Sequence, residues 1–221
     1  MPGSTPFDEG SVRGFLARPA GALGDGLVLT HGAGGDSRMA LLVAVAGAFA
    51  AAGVCVLRCD LPFRQRRPHG PPSPATAAGD RAGLRSAVAA MRTIVPGRVF
   101  LGGQSYGGRQ ASMLAAEAPE LAAGLLLLSY PLHPPGKPER PRTEHFPALR
   151  TPSLFVHGPR DPFATTDELR AALASIPAPV EMVEIAEAGH DLARGAFDAA
   201  GLVVEPFLRF VRAYLAGGSN G

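Results

Sequence analysis

Ser105, Asp161 and His190 are far apart in this chain, yet their types and order describe one chemistry, nucleophilic attack on an acyl carbon. A serine hydroxyl is a poor nucleophile until a neighbouring base takes its proton. An imidazole in turn needs a carboxylate to fix its tautomer and stabilise its charged form. Ser105 lies in the pentapeptide Gly103, Gln104, Ser105, Tyr106, Gly107, directly after the apolar run 99–101 and directly before a helix-forming stretch at 109–118. That context reads as a nucleophile elbow, a strand-to-helix turn that holds its serine in a strained conformation above a sheet. Glycines two residues to either side are needed because side chains there would collide with neighbouring backbone. With 28 glycines among 221 residues the bare pattern is weak, and the context discriminates. Downstream, the run 154–156 leads into His157, Gly158, Pro159, Arg160 and Asp161, and the run 180–185 leads into Glu187, Ala188, Gly189 and His190. All three residues therefore stand where strands of one sheet would end.

Other groups compete for these roles. Asp60 also ends a strand but precedes the elbow, while Asp191, Asp167 and Glu168 flank the favoured residues. Asp161 has a second reading as the start of a turn before Pro162, which Asp commonly makes. Among the histidines, His31 and His157 each precede a glycine at a strand end and read as loop buttresses. His69, His133 and His145 fall in polar loops, which leaves His190 as the base. The developing oxyanion needs preorganised donors. One is expected from the main-chain N–H of Tyr106, the other from the small-residue loop His31, Gly32, Ala33, Gly34, Gly35, with Ala33 the first choice and Gly34 the second. That loop is a poor phosphate loop, since no Gly-Lys-Ser/Thr ending follows and the dinucleotide glycine spacing is not met. No HExxH or comparable metal signature occurs, so neither cofactor nor metal is implied.

The elements that must position these residues follow from an alternation of short apolar runs with longer Ala-rich stretches, the mark of a mostly parallel sheet covered on both faces. Strands are expected at 14–18, 27–30, 54–58, 99–101, 125–129, 154–156 and 180–185, and helices at 37–52, 77–94, 109–118, 166–175 and 203–215. Ser37 and Thr166 offer helix caps. Two Pro-rich stretches, 61–74 and 131–152, read as loops at strand ends, where ligands of open α/β sheets bind. One domain over 1–216, with a mobile Gly/Ser/Asn tail at 217–221, fits the length. Residues 39–57 carry no charge and approach a membrane span in length, but Gly53 and the run 54–57 are better explained as a buried helix followed by a buried strand. Cys55 and Cys59 share one strand, where a disulfide is geometrically awkward, and read as reduced thiols. The first 14 residues lack a basic start and apolar stretch, so a cytoplasmic location is expected.

Net charge of +2, with 18% charged and 6% aromatic residues, announces no partner. Basic side chains nevertheless gather on the two loops: Arg64, Arg66 and Arg67 on one, Lys137, Arg140 and Arg142 on the other, with Arg160 beside the proposed acid. They read most simply as a charged, solvated loop surface. The sharper reading is a rim that meets an anionic acyl or phosphorylated substrate, with Arg64, His133 and Arg160 as candidate substrate contacts. Nucleic acid fits least, because interleaved aromatics and a binding module are lacking.

The segments Thr30 to Gly35, Gly102 to Arg109, Ser129 to Pro138 and Phe155 to Phe163 together resemble the α/β-hydrolase superfamily. More closely they resemble a small dienelactone-hydrolase-like group that includes testis-expressed hydrolase-like proteins and the hydrolase-like part of a histone-acetyltransferase-complex subunit. The resemblance spans nearly the whole chain and implies an α/β-hydrolase fold without a large cap domain, with Ser105, Asp161 and His190 as its catalytic residues. Dienelactone hydrolases proper use cysteine where this elbow has Ser105. A serine hydrolase acting on a small carboxylic ester through an acyl-enzyme is therefore expected. The alternatives are a catalytically silent binding or scaffolding protein, and a peptidase or acyltransferase using the same residues. A small acyl substrate is the expected partner, with neither membrane nor nucleic acid, and oligomeric state is left open.

Overall fold

The computed structural model describes residues 3–192 and 198–215. The chain runs β1 (Ser4–Glu9), β2 (Val12–Ala17), β3 (Gly26–Thr30), α1 (Ala40–Ala51), β4 (Cys55–Cys59), α2 (Pro62–Arg66), α3 (Ala77–Ile94), β5 (Val99–Gln104) and α4 (Tyr106–Glu117). It continues with β6 (Leu125–Leu128), β7 (Ser153–His157), α5 (Thr166–Leu173), β8 (Val180–Glu184) and α6 (Glu205–Leu215). The strands form one sheet in the order β1-β2-β4-β3-β5-β6-β7-β8. Pairs β1/β2 and β2/β4 are antiparallel, and every pairing from β4 to β8 is parallel.

The two-residue period of the strands divides the molecule into two cores. Leu125 and Leu127 of β6 and Phe155 of β7 face α3, α4 and α5, whose Leu84, Val88, Leu114 and Leu169 close one side. Leu126, Leu128, Leu154 and Val156 face the opposite side, where Phe49 of α1 and Phe207 and Phe210 of α6 cover them. Because both faces are buried, these strands read as continuous apolar runs rather than alternating ones. The uncharged stretch at 39–57 resolves into α1 and β4, and among the described residues no helix is long and apolar enough to cross a membrane. Cys55 and Cys59 are free and buried, and both face the α3 side. Four residues apart on one strand they are separated by roughly 13 Å, beyond disulfide reach.

Several expected boundaries shift. β1 was absent from the expected strands: its six residues are almost all exposed at the sheet edge, without an apolar period, and pair only with β2 across a two-residue loop in which Gly10 has φ of 57°. α2 lies inside the stretch expected to be a loop, a five-residue helix opened by Pro62. α1 starts at Ala40, so Ser37 does not cap it. α5 is capped by Thr165 rather than Thr166, through a capping box in which Thr165 accepts from the Glu168 N–H and Glu168 accepts from the Thr165 N–H. The expected tail at 217–221 lies outside the described residues.

Candidate active site

Ser105 sits between β5 and α4 with φ of 52° and ψ of −119°, a region that L residues seldom enter and that costs about 1–3 kcal/mol. The surroundings impose it. A Cβ on Gly103 would lie 2.8 Å from the main chain of Gly107 and Gly108, and one on Gly107 would lie 2.4 Å from the His31 carbonyl oxygen. The Ser105 N–H donates to the Leu128 oxygen at 2.8 Å, which fixes the turn to the end of β6.

His190 links the two other residues. Its Nδ1 lies 2.8 Å from Asp161 Oδ2, and its Nε2 lies 2.8 Å from Ser105 Oγ. The Asp161 side chain is fully buried, and its other oxygen accepts from the Phe163 N–H at 2.9 Å. Asp161 thus makes the turn that its place before Pro162 suggests and also holds the imidazole. The two loops meet because Gly158 has no side chain: a Cβ there would stand 2.5 Å from the Ala188 oxygen. Gln104 Nε2 donates to the His190 carbonyl at 3.2 Å, and the Phe163 ring covers the imidazole with centroids 4.3 Å apart. Two of the competing acids are engaged elsewhere: Asp60 accepts from the Ser37 N–H, and Glu168 closes the α5 cap.

Tyr106 is the first residue of α4, where main-chain N–H groups have no partner within the helix. Ala33 lies with Ser105 and Tyr106 on the wall of one cavity of about 440 Å³. Gly34 lines a separate depression with Arg38, Met39 and His69. Under this loop, His31 Nδ1 donates to the Gly32 oxygen at 2.8 Å and Nε2 accepts from the Leu61 N–H at 3.1 Å. Burial lowers the pKa of this ring. His157 is buried too, beside the Ala164 main chain, and is similarly lowered.

The three expected substrate contacts have different surroundings. Arg64 is buried and donates all five of its N–H bonds to main-chain oxygens. Nε reaches Gly35, Nη1 reaches Arg67 and Pro68, and Nη2 reaches Ala33 and Gly70, at 2.7 to 3.2 Å. It joins the Ala33 loop to the segment following α2 and has no donor left for a ligand. His133 is also buried, with Nδ1 on the Pro134 oxygen at 2.8 Å and Nε2 at 3.4 Å from Glu168, so it fastens its own loop to α5. Arg160 is exposed on a separate depression beside His190, outside the cavity that contains Ser105.

That cavity is walled by Pro71, Pro72, Pro74, Pro131 and Phe163. Its basic side chains are Arg109, one helical turn beyond Ser105, and Arg142. Arg109 carried a signal in the sequence, since residues four apart at a helix start share a face. Arg142 carried only its membership of a basic loop. A larger groove of about 800 Å³ between α1 and α6 is lined by none of these residues.

Residues 24–199 match the family described as an alpha/beta hydrolase domain. Among solved structures, Est1E from Butyrivibrio proteoclasticus with ferulic acid bound superposes with a TM-score of 0.74 at 17% identity, covering 96% of this chain and 99% of that one. A dienelactone hydrolase from Anabaena variabilis gives 0.72 at 20% identity, covering 96% and 98%. An α/β serine hydrolase without a lid from Xanthomonas campestris gives 0.73 at 17% identity, covering 94% of each chain. At these identities the likeness is one of fold, and no large cap domain interrupts the described residues here.

Proposed function

This chain belongs to the alpha/beta hydrolase family, and from that premise we propose that it is a cytoplasmic serine hydrolase that cleaves a small carboxylic ester through an acyl-enzyme. The observation that carries this reading is the unbroken pair of 2.8 Å hydrogen bonds from Asp161 through His190 to Ser105 Oγ, at the start of α4. In the first half-reaction Ser105 Oγ bonds to the acyl carbon as its proton passes to His190 Nε2. Asp161 steadies the resulting imidazolium. The carbonyl oxygen takes the negative charge and is met by the N–H groups of Tyr106 and Ala33. Collapse of the tetrahedral intermediate breaks the bond to the alcohol oxygen, which leaves with the proton from His190. Water then repeats the sequence on the acyl-enzyme, delivering its proton to His190 and releasing the acid and free Ser105.

Ser105→Ala should lower kcat for 4-nitrophenyl acetate by about 10⁴-fold or more, the usual cost of losing such a nucleophile. A fluorophosphonate probe should modify the wild-type protein at Ser105, as mapped by mass spectrometry, and leave the variant unmodified. Labelling of another residue, or equal turnover by both proteins, rejects the assignment.

A further inference from the structure

The cavity beside Ser105 presents hydrogen-bond donors without matching acceptors. The Arg109 side chain is 25% exposed, its guanidinium lies beside the Tyr130 hydroxyl, and its Nε has no partner. Among the described residues, its one carboxylate neighbour is Glu144, 3.9 Å away and 72% exposed. Arg142 is held firmly by its main chain: its N–H donates to the Leu132 oxygen at 2.7 Å, and its oxygen accepts from the Tyr130 hydroxyl at 2.6 Å. Its guanidinium, in contrast, makes one hydrogen bond, 3.3 Å to the Pro131 oxygen. Gln110 is fully buried on the same wall. Arg81 donates to its Oε1 at 3.1 Å, which fixes the orientation of the amide, and leaves Nε2 without a partner. Asp80, the buried acid of this neighbourhood, is already occupied by the Phe63 N–H and the Tyr106 hydroxyl.

Two guanidinium groups side by side repel, and proline and phenylalanine walls lower the local dielectric so that the repulsion is poorly screened. The Arg142 pKa is lowered first by burial and next by Arg109. An arrangement that is unfavourable when empty becomes favourable when an acceptor-only group enters, and a carboxylate or phosphate oxygen pair suits the planar guanidinium fork. The position matters as much as the charge. These donors line the cavity that contains the nucleophile, so they would bind part of whatever Ser105 attacks.

We infer that Arg109, Arg142 and the Gln110 amide form an anion subsite, and that the preferred substrate is an ester carrying an oxyacid anion, carboxylate or phosphate, within a few bonds of the scissile carbonyl. The inference rests on the hydrolase reading for its placement but not for its binding measurement.

The test compares 4-nitrophenyl hemisuccinate with the neutral 4-nitrophenyl valerate, which has a similar acyl length. Wild-type kcat/KM should favour the anionic ester. The ratio should fall about tenfold or more in Arg142→Gln and again in Arg109→Gln, and should fall with added sodium chloride. Separately, Ser105→Ala protein is titrated calorimetrically with succinate and with inorganic phosphate, alone and with Arg142→Gln added. Binding of succinate assigns a carboxylate and binding of phosphate a phosphoryl group, and either must be weakened by Arg142→Gln. Binding to the Ser105→Ala protein, together with no ester turnover by the wild type, upholds the subsite and rejects the hydrolase. Ester turnover without anionic preference, together with no binding of either anion, overturns the subsite and leaves the hydrolase standing.

Discussion

Arg64, in α2, and Arg142, in the Pro-rich loop after β6, lie in two Pro-rich stretches that each follow a strand of the same sheet, and they end in opposite states. Arg64 donates through every N–H it has, to the oxygens of Ala33, Gly35, Arg67, Pro68 and Gly70. Arg142 gives a single 3.3 Å bond to Pro131. The difference lies in the acceptors. α2 drives Arg64 beneath the Ala33 loop, where main-chain carbonyls converge and the guanidinium also sits 5.0 Å from the Phe63 ring. Hydrogen bonding offsets the cost of burying a cation, and carbonyl dipoles serve where no carboxylate is at hand. Arg142 instead faces a cavity and the like charge of Arg109. One arginine supplies structure by being saturated, and the other remains available because it is not.

Substitution at the two sites should separate them most widely in stability. Removing Arg64 strands five carbonyl oxygens and frees the loop that carries Ala33. Arg64→Leu should therefore lower unfolding free energy by roughly 3–5 kcal/mol, the range for breaking a buried charged network. Arg64→Lys should recover only part of it, since one ammonium has three donors rather than a five-donor fork. Arg142→Gln should change stability by no more than about 0.5 kcal/mol in either direction, with relief of repulsion offsetting the lost Pro131 bond. Urea unfolding of the three variants reads all of this. Equal losses at Arg64 and Arg142 would erase the distinction drawn here.

That distinction was not visible in the sequence, and the reason is physical. Loop composition reported where basic residues gather, but the partners that sort them are main-chain oxygens, which every residue possesses. The same blindness hid the role of His133, held by Pro134. It also hid α2, whose five residues are too few for a helical period. β1 escaped because an exposed edge strand has no apolar face to repeat. Ser105, Asp161 and His190 were legible for the opposite reason. Ser105 and Asp161 follow buried apolar runs and His190 follows the half-buried strand β8, and parallel strands must deliver their following loops to one edge of the sheet. The glycines at 103 and 107 were legible as well, because the collisions they avoid follow from the turn itself. Phe163 over the imidazole and Gln104 on the His190 carbonyl belong to the unreadable part, since they depend on loop conformations that no periodicity encodes.

The smallest expected effect sharpens the comparison through the histidine near each arginine. Near Arg64, His31 has both ring nitrogens hydrogen-bonded. Near Arg109, His145 has one bond. Ser112 donates its hydroxyl proton to the Arg109 oxygen at 2.9 Å, so His145 Nε2, 2.8 Å from that hydroxyl, carries the hydrogen. Its Nδ1 is left bare, buried and without a partner. A proton arriving there would be desolvated and would face the Arg109 charge, and these two causes, in that order, lower the pKa from 6.5 to about 4. Between those values the unfolded chain binds a proton that the native protein refuses. The contribution of His145 to stability is therefore complete above 6.5, declines as pH falls, and is lost near 4. Allowing for partial solvent screening, wild type should lose about 1–2 kcal/mol more than His145→Gln between about pH 7 and about pH 5. Saturating succinate or phosphate should shrink that difference, because an anion beside Arg109 removes part of the charge that repels the proton. A pH dependence identical in the two proteins would mean that the Arg109 neighbourhood is as well compensated as that of Arg64.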